Sequence, residues 1–221
     1  MRPQIVFLHT SPLHVPTFAN LVKAIDPTLH IEHRVDESLL SDAQRLGADD
    51  PILNARVHAA VLAAAKTGAA IVVCTCSSIG GYAERTPTEG RFQALRIDRA
   101  MADRAVRIGP GILIVAALES TLAPTIALIL ESAADLNLPV NIESVVASDA
   151  WPLFINGRHG EYANRIAQTV QGYSGTATVV VLAQASMAPA QDELRNFTRE
   201  VLSSPVLGVQ WLISRLTGNT Q

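Results

Sequence analysis

The sequence predicts an α/β protein built as two pseudo-symmetric parallel-sheet α/β domains with an interdomain cleft. Three observations carry that expectation. Short β-rich runs alternate with longer helical stretches, the pattern of layered α/β units joined by right-handed crossovers. Ile71-Val72-Val73, Ile112-Leu113-Ile114-Val115 and Val179-Val180-Val181-Leu182 are apolar without interruption, which suits strands covered on both faces of a parallel sheet. Finally, the segment "AAIVVCTCSSIGG" (69–81) is echoed by "TATVVVLAQASMAP" (176–189).

In chain order the expected strands are Ile5–Leu8, Ile31–Val35, Ile71–Cys74, Ala94–Ile97, Ile112–Ala117, Ile142–Val146 and Val179–Leu182. The helices between them carry start and stop signals. Asp50-Pro51 reads as an N-cap followed by an N1 proline, and Gly68 closes that helix. Asp98 caps a helix that stops at Gly109, and Pro124 opens one running through Leu130. Asp192 lies near the start of another, and Pro205 begins the last. In that final stretch Val206, Val209, Leu212, Ile213 and Leu216 form an apolar face expected to pack back on the first domain.

The repeat has an offset of 108 residues, matching Cys74 with Leu182, Cys76 with Gln184, Ser78 with Ser186 and Ile79 with Met187. The same spacing matches Pro16-Thr17 with Pro124-Thr125 and Ala55 with Ala163. Agreement of several elements on one spacing reads as a duplication of an α/β half of roughly 100 residues. The expected partition is residues 1–98 plus 206–221 for the first domain and 99–205 for the second. In open α/β sheets ligands bind beyond the carboxyl ends of the strands, so the turns 74–81 and 182–189 are expected to line one cleft.

Composition narrows the function classes. Of 221 residues, 48% are hydrophobic and 17% charged, which excludes intrinsic disorder. The net charge is −3 with pI near 6.1, and the charges are scattered, so neither nucleic acid nor an anionic membrane is an expected partner. No window of 18 residues is continuously apolar. One Arg and the run Ile5–Leu8 are too short for a secretory signal, and two cysteines one residue apart do not suit an ordinary disulfide. A cytoplasmic protein is expected.

Cys76 is the foremost chemical candidate. It stands where a buried strand gives way to Ser77-Ser78-Ile79-Gly80-Gly81, a turn whose N–H groups and hydroxyls suit a carboxylate. The positive end of the helix that follows is expected to lower the thiol pKa. A thiolate beside a carboxylate cradle removes a proton from an activated α-carbon or adds to a double bond. Cys74, inside the strand, reads as core. His9, Thr10 and Ser11 follow the first strand; His9 either orients a carboxylate, serves as acid/base, or caps the strand end. Glu119, Ser120 and Thr121 occupy the equivalent edge of the second half, to bond substrate or cap the next helix. Arg96 and Asp98 read as structural. A Cys-x-Cys pair alone does not complete a metal site, and neither metal nor cofactor is expected.

Taken together, "IVFLHTSPLHVPTF", "HRVDESLL", "AAIVVCTCSSIGG", "ALRIDRAMADRAV", "LESTLAPT" and "TVVVLAQASMAP" resemble the aspartate/glutamate/hydantoin racemase family, whose relatives include arylmalonate decarboxylases and maleate isomerases. The resemblance implies a cofactor-independent racemase or isomerase acting at a carbon next to a carboxylate, with a cysteine from each half flanking that carbon. Cys76 matches the first, with Cys74 as a register alternative; the second falls on Gln184. An amide has no accessible pKa and cannot shuttle a proton near neutrality. Three readings follow: Cys76 works alone in an isomerisation or decarboxylation while Gln184 and Ser186 bond an enolate; His9 or water replaces the missing thiol; or the protein binds a small acid without turnover. The candidate catalytic residues are Cys76, Gln184 and His9. Thr10, Ser11, Thr75, Ser77, Ser78, Ser120, Thr121, Ala185 and Ser186 are candidates for substrate binding. A small carboxylate-bearing substrate and a possible homo-oligomer are the expected partners.

Overall fold

The structure is a computed structural model that describes residues 2–47 and 50–218. The chain divides into two compact units, Met1–Ile97 with Pro205–Gln221, and Asp98–Ser204.

The first unit runs β1 (Ile5–His9), α1 (His14–Ile25), β2 (Ile31–Val35), α2 (Ser38–Leu46), α3 (Pro51–Ala65), β3 (Ile71–Cys74), α4 (Ser77–Glu84) and β4 (Gln93–Arg96). Its four strands are parallel in the order β2-β1-β3-β4. All of β1 is buried because both faces are covered. Val6 and Leu8 join Leu53, Val57, Val61, Val72, Cys74 and Ile79 in one core. On the alternate face Phe7 lies 5.4 Å from the Phe18 ring of α1. The Asp50 side chain accepts from the N–H groups of Ile52 and Leu53, with Pro51 at the first helical position, so α3 starts where its cap dictates. Gly68 then turns the chain at φ +83°, a conformation glycine adopts without strain.

The second unit repeats the plan with α5 (Arg99–Ile108), β5 (Gly111–Ala116), α6 (Glu119–Leu136), β6 (Asn141–Val146), α7 (Trp151–Ile155), α8 (His159–Gln171), β7 (Val179–Leu182), a 3-10 turn (Ala185–Met187), α9 (Ala190–Glu193) and β8 (Glu200–Ser203). Its strand order, β6-β5-β7-β8, is that of the first unit carried one repeat along. Leu8 pairs with Cys74 in one sheet, and Val115 with Leu182 in the other. The core gathers Leu113, Val115, Phe154, Tyr162, Ile166, Val180, Leu182 and Met187.

The chain then returns in α10 (Ser204–Thr217). Arg215 donates twice to Gln93 Oε1, at 3.0 and 2.8 Å, tying the end of α10 to β4. Val209 and Leu212 are fully buried, whereas Val206 of the expected apolar face is 44% exposed.

Three elements differ from the sequence reading. The helix expected to start near Asp192 is the four-residue α9, which ends at Glu193. β8 was not expected; it is a four-residue edge strand, half exposed and without an apolar run. The helix expected to open at Pro124 begins at Glu119 and contains the proline. Leu118, two residues past the end of β5, is extended and caps a helix that starts at the next residue, and Pro124 forgoes one backbone bond. Among the described residues no helix is long and apolar enough to cross a membrane.

Candidate active site

In the first unit the carboxyl ends of β1 and β3 are neighbours. The Thr75 N–H donates to Leu8 O at 3.0 Å, which carries the pairing one residue past β3. Cys76 follows, half-buried and extended (φ −101°, ψ 116°), at the N-cap position of α4. The Thr10 and Ser78 hydroxyls and the Ser78 and Ile79 N–H groups lie close enough to its sulfur to favour thiolate, although the sulfur makes no capping hydrogen bond and the Ile79 N–H donates to Cys76 O at 3.3 Å. The sequence reading expected these donors to lower the pKa. Burial outweighs them and pushes the Cys76 thiol up, so the resting group is a thiol. Thr10, Thr75, Ser77 and Ser78 are buried around it, and half-buried Ser11 accepts from the Leu13 N–H at 3.3 Å. Cys74 is buried in the core, its thiol donating to Cys76 O at 3.6 Å. Arg96, also buried, donates to Ser77 O at 3.5 Å; its guanidinium lies where a Cβ on Gly80 would come within 3.0 Å. That close approach explains a glycine inside α4.

His9 is enclosed, with both ring nitrogens committed. Nδ1 is 2.8 Å from Thr75 Oγ1, and Nε2 is 2.8 Å from His33 Nδ1. The ring is 5.1 Å from that of His33 and 5.6 Å from Phe18. Burial, then the like charges of His33 and His14, lower the His9 pKa to about 3; burial lowers His14 to about 4. Both are neutral in the folded protein but protonate near 6.5 once unfolded. The unfolded chain therefore binds more protons below 6.5, and stability is lost as pH falls from 6.5 towards 4. Denaturant titrations between pH 7 and 5, where few carboxylates titrate, are expected to show a loss of up to about 1.4 kcal/mol per pH unit for each of these two histidines. A flat profile would contradict a buried neutral pair.

In the second unit Gln184 takes the corresponding place after β7, extended like Cys76 (φ −118°, ψ 141°) ahead of the 3-10 turn. Its Oε1 accepts from the Ala117 N–H at 2.6 Å. Ala185 is buried, and Ser186 Oγ lies 2.9 Å from the hydroxyl of buried Tyr162. The sequence reading did not single out Tyr162. It lies at the 108-residue offset from Asn54, a side chain of different chemistry, so the repeat gave no signal for it. Ser120 and Thr121 fall in the first turn of α6; Thr121 is buried, and Ser120 Oγ is buried without a hydrogen-bond partner among the described residues. Among the described residues no group of three or more His, Cys, Asp and Glu side chains is arranged to hold a metal ion.

No protein-family model and no curated protein sequence matches the chain. Solved structures do. Glutamate racemase isoform RacE1 from Bacillus anthracis superposes with a TM-score of 0.73 at 12% identity, over 98% of this chain and 83% of that one. Aspartate racemase from Picrophilus torridus gives 0.69 at 12% identity, over 97% and 94% of the two chains. Allantoin racemase from Pseudomonas fluorescens gives 0.57 at 14%, over 98% and 92%. The chain thus has the α/β fold of the glutamate, aspartate and allantoin racemases, over nearly its whole length.

Proposed function

We propose that the protein is a cofactor-independent isomerase of racemase type, acting at a carbon acid next to a carboxylate or a hydantoin carbonyl, with Cys76 as the group that moves the proton. The observation that carries this reading is the setting of Cys76. It is a half-buried thiol just beyond the end of a central strand, at the start of a helix, with the Thr10 and Ser78 hydroxyls beside it. The fold is shared with racemases of glutamate, aspartate and allantoin, whose reacting carbons all lie beside a carbonyl carbon.

In this reading the hydroxyls and N–H groups of Thr10, Ser11, Ser77 and Ser78 hold the substrate's anionic end, while Thr75, whose N–H and hydroxyl both meet Leu8 O, holds the turn in place. The Cys76 thiolate takes the α-proton, leaving a planar enolate; return of the proton by the thiol gives exchange with retention, and delivery of a proton by water to the opposite face gives inversion. Gln184 has no proton to exchange near neutrality, so its amide, like Ser186, is assigned to hydrogen bonding. This makes the enzyme a one-thiol catalyst, a reading that also accommodates decarboxylation or cis-trans isomerisation. Because the thiol is raised, kcat/KM is expected to climb with pH beyond the point where an ordinary cysteine is fully ionised.

The test is solvent exchange. Amino dicarboxylic acids, arylmalonates and 5-substituted hydantoins are incubated with the protein in D2O, and deuterium at the α-carbon is followed by NMR. Catalysed exchange or decarboxylation in one class supports the reading. Thermal stabilisation by an acid with no exchange in any class would leave a binding protein instead.

A further inference from the structure

We propose that His9 is a positioning residue for Cys76, acting through the Thr75 hydroxyl as the middle of a directed hydrogen-bond chain from His33. The inference rests on Cys76 being the reacting thiol and assigns His9 a role other than proton transfer to substrate.

The direction of the chain follows from counting protons. Thr75 has one hydroxyl hydrogen, and its Oγ1 lies 3.3 Å from Leu8 O, which can only accept. With that hydrogen spent on Leu8 O, Thr75 Oγ1 must accept from His9, so the His9 proton sits on Nδ1. Nε2 of the neutral ring then carries a lone pair and accepts from His33 Nδ1–H. This leaves His33 Nε2 with the lone pair, and that atom is buried with no partner among the described residues. The opposite direction would bury an unpaired N–H there instead, which costs more than an under-used acceptor.

The chain ends beside the reactive turn. Thr75 is the residue before Cys76. Thr10, whose hydroxyl reaches the Cys76 sulfur, is the residue after His9. Fixing the His9 ring to Thr75 therefore fixes both backbones that flank the thiol. The groups packed around the ring fit a neutral tether. His33 from β2 and His14 from α1 are the two titratable groups that face His9, and both are held neutral by burial; Phe7 and Phe18 supply apolar walls, and Thr75 is uncharged.

Two substitutions separate this role from a merely structural one. His9→Asn places an amide N–H near the position of Nδ1 and retains the bond to Thr75. His9→Gln reaches towards His33 and loses Thr75. In a Cys74→Ala background, so that Cys76 alone reports, the rate of iodoacetamide alkylation is measured from pH 6 to 10. His9→Gln is expected to slow alkylation at pH 8 by about three- to tenfold, the effect of losing one hydrogen bond to the thiolate, and to move its pH midpoint upwards. His9→Asn is expected to stay within about twofold of the parent. Thr75→Val reads the same link should His9→Gln fail to fold, and is expected to match its effect. Equal shifts in His9→Asn and His9→Gln, or no shift in either His9→Gln or Thr75→Val, would overturn the proposal. Alkylation needs no substrate, so this pattern is independent of whether any acid undergoes exchange: an absence of exchange with the pattern intact would sink the isomerase reading alone.

Discussion

Cys76→Ala is expected to remove catalysed exchange of the substrate α-proton almost entirely. General acid–base catalysis contributes about 10²–10⁴-fold to rate, and in a one-thiol site no second side chain inherits the role. Ser186, a neutral hydroxyl, is bonded to Tyr162, and burial pushes that phenol further up, away from activating it. The control is Cys74→Ala. That thiol lies in the first unit's core with Val72, Leu53 and Ile79. Its loss is expected to lower stability while leaving most of the exchange rate. Melting temperature and exchange rate measured on both variants separate the two effects. An exchange rate lost with Cys74 and retained without Cys76 would reverse the assignment.

Gly208→Ala is expected to give the largest single stability loss in the C-terminal helix. Helix propensity alone predicts the opposite sign, since alanine is favoured over glycine by about 1 kcal/mol in a helix interior. Packing decides. A Cβ at position 208 would lie 2.2 Å from the backbone oxygen of Ile97 and 2.7 Å from two atoms of its side chain. A backbone oxygen at the end of a central-layer strand cannot move aside as a surface side chain can, so α10 must shift away from β4. That overpacking is expected to cost at least about 1–3 kcal/mol in urea titration. Gly160, in the first turn of α8, is the matched control: no atom of the described residues lies within 4 Å of a Cβ there, and Gly160→Ala is expected to be neutral or stabilising. A stabilised Gly208→Ala would show that the helix does not rest on Ile97.

Much of the architecture was legible because burial on both sheet faces leaves unbroken apolar runs. Ile31–Val35, Ile71–Cys74 and Val179–Leu182 form the strands expected of them, and the others agree to within a residue or so at their ends. What escaped has a physical reason. β8 lies at a sheet edge and needs only half its side chains buried, so its four residues carry no periodic signature. A proline inside α6 looked like a helix start because a proline tolerated at the sixth position resembles one placed at the first. In the site, sequence spacing could place Cys76 between a strand and a helix. It could not weigh the competing effects on the thiol, because desolvation depends on everything packed around the sulfur. Nor could it see that His9 would meet a histidine 24 positions away, since that pairing follows from β1 and β2 lying side by side. Tyr162 and Ser186 meet through the same kind of tertiary contact, between a helix face and a turn 24 residues on.

The central claim is that one thiol, with an amide at the repeat-related position, handles the proton. Its most direct measurement uses a single enantiomer of an accepted substrate in D2O, stopped at low conversion, with deuterium counted separately in the recovered substrate and in the product. A lone thiol that both removes and returns the proton exchanges with solvent before return, so the recovered enantiomer is expected to carry deuterium, and Cys76→Ala to carry none. Deuterium confined to an inverted product, or full exchange persisting in Cys76→Ala, would contradict the account.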